Sequence, residues 1–181
     1  MVIGQTQIAV AATAPSPQPQ RILAAAGAAT RGEGVNPFSI PVRVYYEDTD
    51  VGAVVYYANY LRYIERARSD WLRAAGFELD VIQREQNAVF VVRRVEADYF
   101  LPATLGNLLT VTAEPTEVGA SRMVIRQRVT RQGASGEELL FAATVTVAFI
   151  AADLSGPLRM PKSMRDTLKA MMPNTSAQAP E

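Results

Sequence analysis

The amino-acid sequence predicts an α+β domain, one antiparallel sheet with one long helix covering a face. Three observations carry this. An amphipathic helical period appears between Tyr57 and Ala75 and holds the only Trp. Four strand-like segments follow it in succession. Short turns separate those strands, and tightly joined neighbours pair antiparallel. At 181 residues, the chain suits one domain with a tail better than two.

The first strand is read from Ile40, Val42, Val44 and Tyr46 alternating with Pro41, Arg43 and Tyr45. A polar loop, Glu47–Ala53, follows. In the helix, Leu61, Ile64, Ala67, Trp71, Leu72 and Ala75 form one apolar stripe, with Arg62, Glu65, Arg66, Ser69 and Arg73 on the polar side. Gly76 suits the position just past the helix end. A short helical piece is expected at Val81–Gln86. Strands are then expected at Val89–Phe100, Leu108–Glu117, Arg122–Arg131 and Leu139–Ile150, forming a four-stranded meander. Pro102 and Gly106, then Gly119-Ala120-Ser121, then Gly133 to Gly136, provide the turns. Ala151–Pro161 reads as loop, and Lys162–Met172 as a terminal helix. Residues 1–36 have no aromatic residue and few charges, and read as a disordered extension. They lack the positive start of a signal peptide, since the first base is Arg21. The folded domain is therefore placed at residues 37–172, with 173–181 as a tail. No apolar run approaches the ~18 residues of a membrane span.

Composition excludes several chemistries. The chain has no Cys and no His. Thiol nucleophiles, disulfides, Ser–His–Asp triads and His- or Cys-ligated metals are ruled out by counting. With 18 basic and 18 acidic residues the formal charge is zero, so generic nucleic-acid binding is not expected. Acid–base work falls to Asp, Glu, Tyr, Lys or backbone groups.

The Glu47–Ala53 loop concentrates the remaining chemistry. Glu47, Asp48 and Asp50 lie within four positions, and the loop runs into a helix start. Free N–H groups at a helix N-terminus favour negative charge. A loop carboxylate and an oxyanion-binding corner could thus face one small volume, which is enough for acyl transfer without His. Read from spacing alone, the simpler alternative is that Asp48 and Asp50 shape the turn through side-chain-to-backbone bonds. A dedicated divalent-ion loop is disfavoured, because apolar Val51, Ala53, Val54 and Val55 follow at once.

The run from Arg43 to Leu61, RVYYEDTDVGAVVYYANYL, resembles the signature of hotdog-fold acyl-CoA thioesterases. Within them it is similar to the 4-hydroxybenzoyl-CoA thioesterase family, and most of all to the acyl-CoA thioesterases associated with the Tol–Pal envelope system. Glu65-Arg66-Ala67-Arg68, Val91-Val92-Arg93-Arg94, Ala97-Asp98-Tyr99 and Gly119-Ala120-Ser121 also match. The resemblance covers about residues 40–162. It implies a hotdog fold, a curved antiparallel sheet wrapped around one central helix. It also implies hydrolysis of an acyl-CoA thioester, with Asp50 as nucleophile or general base and the backbone N–H of Tyr57 as oxyanion donor. Many Tol–Pal members have His where this chain has Tyr57, and the 4-hydroxybenzoyl-CoA type has Tyr, so the Tyr57 side chain bears on acyl preference.

Val55, Asn59 and Arg94 are the candidate substrate-binding residues. Asn59 reads more simply as a first-turn hydrogen bonder. Arg93 and Arg94 are expected on opposite faces of one strand, one of them a candidate for coenzyme A phosphates. Paired Arg on a strand more often match neighbouring acids. Glu65 is expected to pair with Arg62 or Arg68, and Trp71 to be core. No cofactor is expected. The expected partners are acyl-CoA, further copies of the chain as a homodimer or homotetramer, and acyl carrier protein as another acyl donor, all in the cytoplasm. The rival reading is a non-catalytic hotdog domain that binds acyl groups or acyl carrier protein.

Overall fold

The computed structural model describes residues 37–173. The expected extension at 1–36, and all but the first residue of the expected tail, lie outside the described residues. Five strands form one antiparallel sheet: β1 (Phe38–Arg43), β2 (Ala88–Tyr99), β3 (Leu108–Val118), β4 (Arg122–Gly133) and β5 (Gly136–Ala151). Three helices accompany them: α1 (Asn59–Ala74), α2 (Leu79–Gln86) and α3 (Lys162–Ala170).

The helix α1 packs on β1, β3 and β4. Its buried stripe is Tyr60, Tyr63, Ile64, Ala67, Arg68, Trp71 and Leu72. Leu61, expected in the core, is exposed. The 3.6-residue period centres the buried stripe on Tyr60, Ile64, Ala67 and Trp71, and Leu61 falls one position off that line. The helix ends as expected. Gly76 adopts φ +88°, its N–H donates to the Arg73 carbonyl and the Phe77 N–H donates to the Leu72 carbonyl, the paired bonds of a Schellman end.

The facing sheet surface supplies Leu109, Val111, Met123, Ile125, Phe141, Val145 and Phe149, each at most 2% exposed. Polar side chains belong to this core as well, and Gln127 is the most deeply placed. Gln127, on β4, is fully buried, accepts from Arg68 Nη1 at 2.8 Å, and donates to the carbonyls of Ile64 at 2.9 Å and Thr112 at 3.2 Å. It bonds helix to sheet and satisfies a buried guanidinium. Burial holds the Arg68 pKa below its ordinary value, with the Glu65 charge acting in the opposite sense.

The expected four-stranded meander needs correction. The strand order is β1-β3-β4-β5-β2, so only β3, β4 and β5 pair in sequence. β2 leaves through the segment Phe100–Asn107 and pairs with β5, from Ala88↔Ala151 to Tyr99↔Phe141. That segment is no tight turn: it anchors to the Glu47–Ala53 side of the molecule through the Val54↔Thr104 bridge and buries Ala103. Pro115 is tolerated because it lies on β3 past the last pair with β1 and beside a bulge, where a ladder donor can be dispensed with. The first strand is shorter than expected, since Tyr46–Asp48 turns into a 3-10 helix.

Replacing Gln127 by Leu should leave the Arg68 charge buried without its partner. The expected cost is about 1.5–3 kcal/mol, the worth of a buried hydrogen bond to a charged group, read as a lower urea midpoint. A loss below about 1 kcal/mol would mean that the guanidinium finds another partner.

Candidate active site

The loop between β1 and α1 is fixed by its own backbone. Asp50 N–H donates to the Val54 carbonyl and Ala53 N–H donates to the Asp50 carbonyl, both at 3.0 Å. Ala53 takes a left-handed φ of 59° to close this turn. The two carboxylates differ. Asp48 Oδ2 accepts from the Tyr45 N–H at 2.8 Å, and the Asp48 carbonyl accepts from the Tyr56 N–H and from Asn59 Nδ2, each at 2.9 Å. Asp50 is exposed; its Oδ1 accepts from the Gly52 N–H at 2.8 Å, and its Oδ2 has no partner among the described residues. Both carboxylates therefore do shape the turn, but Asp50 keeps one oxygen free.

The start of α1 holds unpaired donors. The N–H groups of Tyr57 and Ala58 find no acceptor among the described residues. Their peptide planes are nonetheless fixed. The Tyr56 carbonyl accepts from the Asn59 N–H at 2.9 Å. In a trans peptide, C=O and N–H point in opposite directions, so the Tyr57 N–H faces away from that bond. The Tyr57 carbonyl accepts from the Tyr99 hydroxyl at 3.1 Å, which fixes the Ala58 N–H in the same way.

Beside these donors lies an apolar cleft of about 310 Å³, lined by Val55, Tyr57, Tyr60, Tyr99 and Phe100–Pro102. Its wall is a run of aromatic contacts. Tyr57 meets Tyr99 edge-on at 6.5 Å, Tyr99 meets Tyr60 at 5.6 Å, and Tyr60 stacks on Phe141 at 5.2 Å. Tyr60 accepts from the Ala103 N–H at 2.9 Å. Burial raises the pKa of the Tyr60 and Tyr99 hydroxyls, so both stay protonated. The Tyr57 hydroxyl, then burial and the Asp50 charge among lesser causes, raises Tyr56.

Of the expected site residues, the structure brings Tyr57 and Val55 to the cleft. Asp50 stands on the adjoining loop and does not line it. Asn59 is buried, and its amide is taken up by the Asp48 carbonyl. Arg94 is exposed on β2 and pairs with Glu96 at 2.8 Å. It is five residues from Tyr99, roughly 17 Å along a strand. The expected alternation of Arg93 and Arg94 is interrupted, because the register with β5 shifts between Val92 and Arg94. Glu65 accepts from the Ser69 hydroxyl at 2.7 Å and forms no ion pair among the described residues, since Arg68 turns inward to Gln127. Tyr99 and Phe100–Pro102 were not singled out for the site by sequence; an aromatic pair at the end of a strand, just before Pro102, was the signal. Among the described residues no group of three or more acidic side chains is placed to hold a metal.

A sheet wrapped on one central helix, with the helix start opening on an aromatic cleft, defines the hotdog class. The chain belongs to the thioesterase superfamily, whose family model matches residues 52–138. It is 42% identical over 130 residues to the acyl-CoA thioesterase YbgC of Haemophilus influenzae, covering 72% of this chain and 93% of that protein. A probable thioesterase from Bartonella henselae has a solved structure that superposes with TM-score 0.64 at 32% identity, over 70% of this chain and 100% of that one. The 4-hydroxybenzoyl-CoA thioesterase of a Pseudomonas species shares the fold, with TM-score 0.66 at 20% identity, over 71% of this chain and 96% of that one.

Tyr63, next to the site on α1, is fully buried, and its hydroxyl approaches the Asp48 carboxylate without reaching a hydrogen bond of normal length. Burial, then the nearby Asp48 charge, raises its pKa well above the usual tyrosine range. The folded protein therefore holds this proton to higher pH than the unfolded chain. The stability it contributes is complete below about pH 10, the unfolded value, and declines as pH rises beyond it. Tyr63→Phe should leave neutral-pH stability unchanged or raised, and should flatten the alkaline fall in urea midpoint. A neutral-pH loss above about 1 kcal/mol would show that the hydroxyl is bonded.

Proposed function

We propose that the protein hydrolyses acyl-CoA thioesters to free acid and coenzyme A. The observation that carries this is the unpaired, orientationally fixed Tyr57 N–H at the mouth of an apolar cleft, next to a loop carboxylate with a free oxygen. The acyl chain enters the aromatic cleft past Val55, and its carbonyl oxygen meets the Tyr57 N–H. The free oxygen of Asp50 supplies the attack. As general base it takes a proton from water while the hydroxyl adds to the carbonyl carbon. As nucleophile it adds directly to the carbonyl carbon, and once the thiolate has left that adduct, water opens the resulting mixed anhydride. Either way the negative charge on the tetrahedral oxygen is stabilised by the N–H and by the N-terminal end of α1. The carbon–sulfur bond then breaks, and the coenzyme A thiolate regains a proton from solvent.

The 42% identity to an acyl-CoA thioesterase supports the substrate class. Residues 37–172 form the catalytic unit in this reading. Arg94, facing solvent, would exchange Glu96 for a coenzyme A phosphate. Acyl carrier protein is a second carrier of the same thioester, and the cytoplasm is where both carriers are found. No helix among the described residues is long and apolar enough to cross a membrane. A non-catalytic acyl-binding domain would need the cleft but not the free carboxylate oxygen.

Asp50→Asn should lower turnover by orders of magnitude with the fold intact, because the nearly isosteric amide is a poor base and nucleophile. Gly52→Ala should also lower turnover, because a Cβ there would lie 3.0 Å from Asp50 Oδ1 and displace it. A panel of acyl-CoA substrates with a thiol-trapping reagent measures both. Wild-type turnover in a folded Asp50→Asn protein would sink the assignment.

The same reading includes assembly. β2 lies at the sheet edge and exposes Val92, Val95, Tyr99 and the following Phe100 and Leu101. An unpaired apolar edge is an aggregation liability unless another strand covers it. Pairing with the β2 of a second copy about a two-fold axis would cover it and close the side of the cleft that Tyr99 forms. Sedimentation should show a dimer, or a tetramer built from two dimers. A fully active monomer would contradict this.

A further inference from the structure

Asn59 is the first residue of α1, 6% exposed, and it does not line the cleft. Its two nitrogens hold two different pieces of the site. The backbone N–H takes the Tyr56 carbonyl, and Nδ2 takes the Asp48 carbonyl, each at 2.9 Å. The Asp48 carbonyl also accepts the Tyr56 N–H at 2.9 Å. Tyr56 is thus held on both of its peptide groups, and the Tyr57 N–H is aimed by what holds Tyr56. On the other side, Asp48 stands two residues before Asp50, in a loop whose backbone is closed on itself. Among the described residues, no other side chain hydrogen-bonds this loop to the start of α1.

We propose that Asn59 is a positioning residue that sets the separation between the Asp50 carboxylate and the Tyr57 N–H. This rests on the hydrolase reading above. An amide at this position donates to a carbonyl, and no other side chain of that size repeats it. Aspartate would present an oxygen to the Asp48 carbonyl and repel it, while remaining a favourable residue at a helix N-terminus. Alanine would remove the bond and leave the Asp48 carbonyl its second donor, Tyr56. Both changes loosen the coupling without removing a group that touches substrate. A misplacement near 1 Å between reacting groups can cost about 100-fold in rate.

The experiment compares wild type, Asn59→Ala, Asn59→Asp, and each substitution combined with Asp50→Asn. Steady-state kinetics are measured on the acyl-CoA panel, thermal melting reports folding, and hydrogen exchange is followed at the Tyr56 amide. The expected result is a fall in kcat of about 10- to 100-fold with KM within about twofold. Melting should stay close to wild type in at least the alanine variant, which leaves the Asp48 carbonyl its Tyr56 donor, and Tyr56 exchange should be faster. In the Asp50→Asn background the substitutions should cost little further, since a clamp that acts through Asp50 has nothing left to position. A raised KM with kcat retained would make Asn59 a substrate contact and overturn the proposal. Unchanged kcat, or unchanged Tyr56 exchange, would overturn it as well. A wild-type protein inert on the whole panel would sink the hydrolase reading alone, and the exchange data would still decide whether the clamp exists.

Discussion

The packing of α1 against the sheet is the interaction on which everything else rests. Trp71, Tyr63 and Ile64 are buried to within 1% of exposure, and the sheet residues opposite are equally dry. Such a contact tolerates no slippage, because each side chain is seated among fixed neighbours. The buried Arg68–Gln127 pair adds direction to it, since a guanidinium without its acceptor costs more than a misplaced methyl group. The helix is therefore fixed along its axis as well as about it. Its first turn comes to rest at one place, beside Val55 and Tyr99, and the donors at that turn acquire a defined address.

Asp48 and Asp50 show how two identical side chains two positions apart part company. Asp48 is consumed by structure: one carboxylate oxygen holds Tyr45, and its carbonyl receives both Tyr56 and Asn59. Asp50 spends one oxygen on the Gly52 N–H and presents the other to solvent. The division comes from their surroundings. Asp48 faces the helix start, whereas Asp50 stands at the crest of the turn that Ala53 closes with its left-handed backbone.

Much of this was legible in the sequence. The α+β class, the central helix with Gly76 at its end, and the positions of β3, β4 and β5 follow from periodicity and turn residues, which are local properties. The loop of carboxylates leading into a helix start was legible for the same reason. Three things were not. The placement of β2 beside β5 depends on a pairing between distant segments, which alternation within a strand cannot encode. The inward turn of Arg68 was hidden because an Arg on a helix reads as surface until Gln127 on β4 is brought to meet it. The role of Tyr99 required knowing that the end of β2 passes the first turn of α1. In each case the missing information was a contact between residues remote in the chain.

The strand order has a consequence for how the molecule assembles in time. β3, β4 and β5 are joined by short turns, and their pairings close small loops. β1 reaches β3 across a separation as long as that between Phe38 and Ala113, and β2 reaches β5 across one as long as that between Ala88 and Ala151. Closing such long loops costs more chain entropy before any contact repays it. The hairpins are thus the natural early structure, and the outer strands are the natural late additions. The carboxylate loop hangs from β1, and Tyr99 terminates β2. The chemistry is accordingly carried by the segments that arrive last, onto a scaffold of hairpins that can form without them.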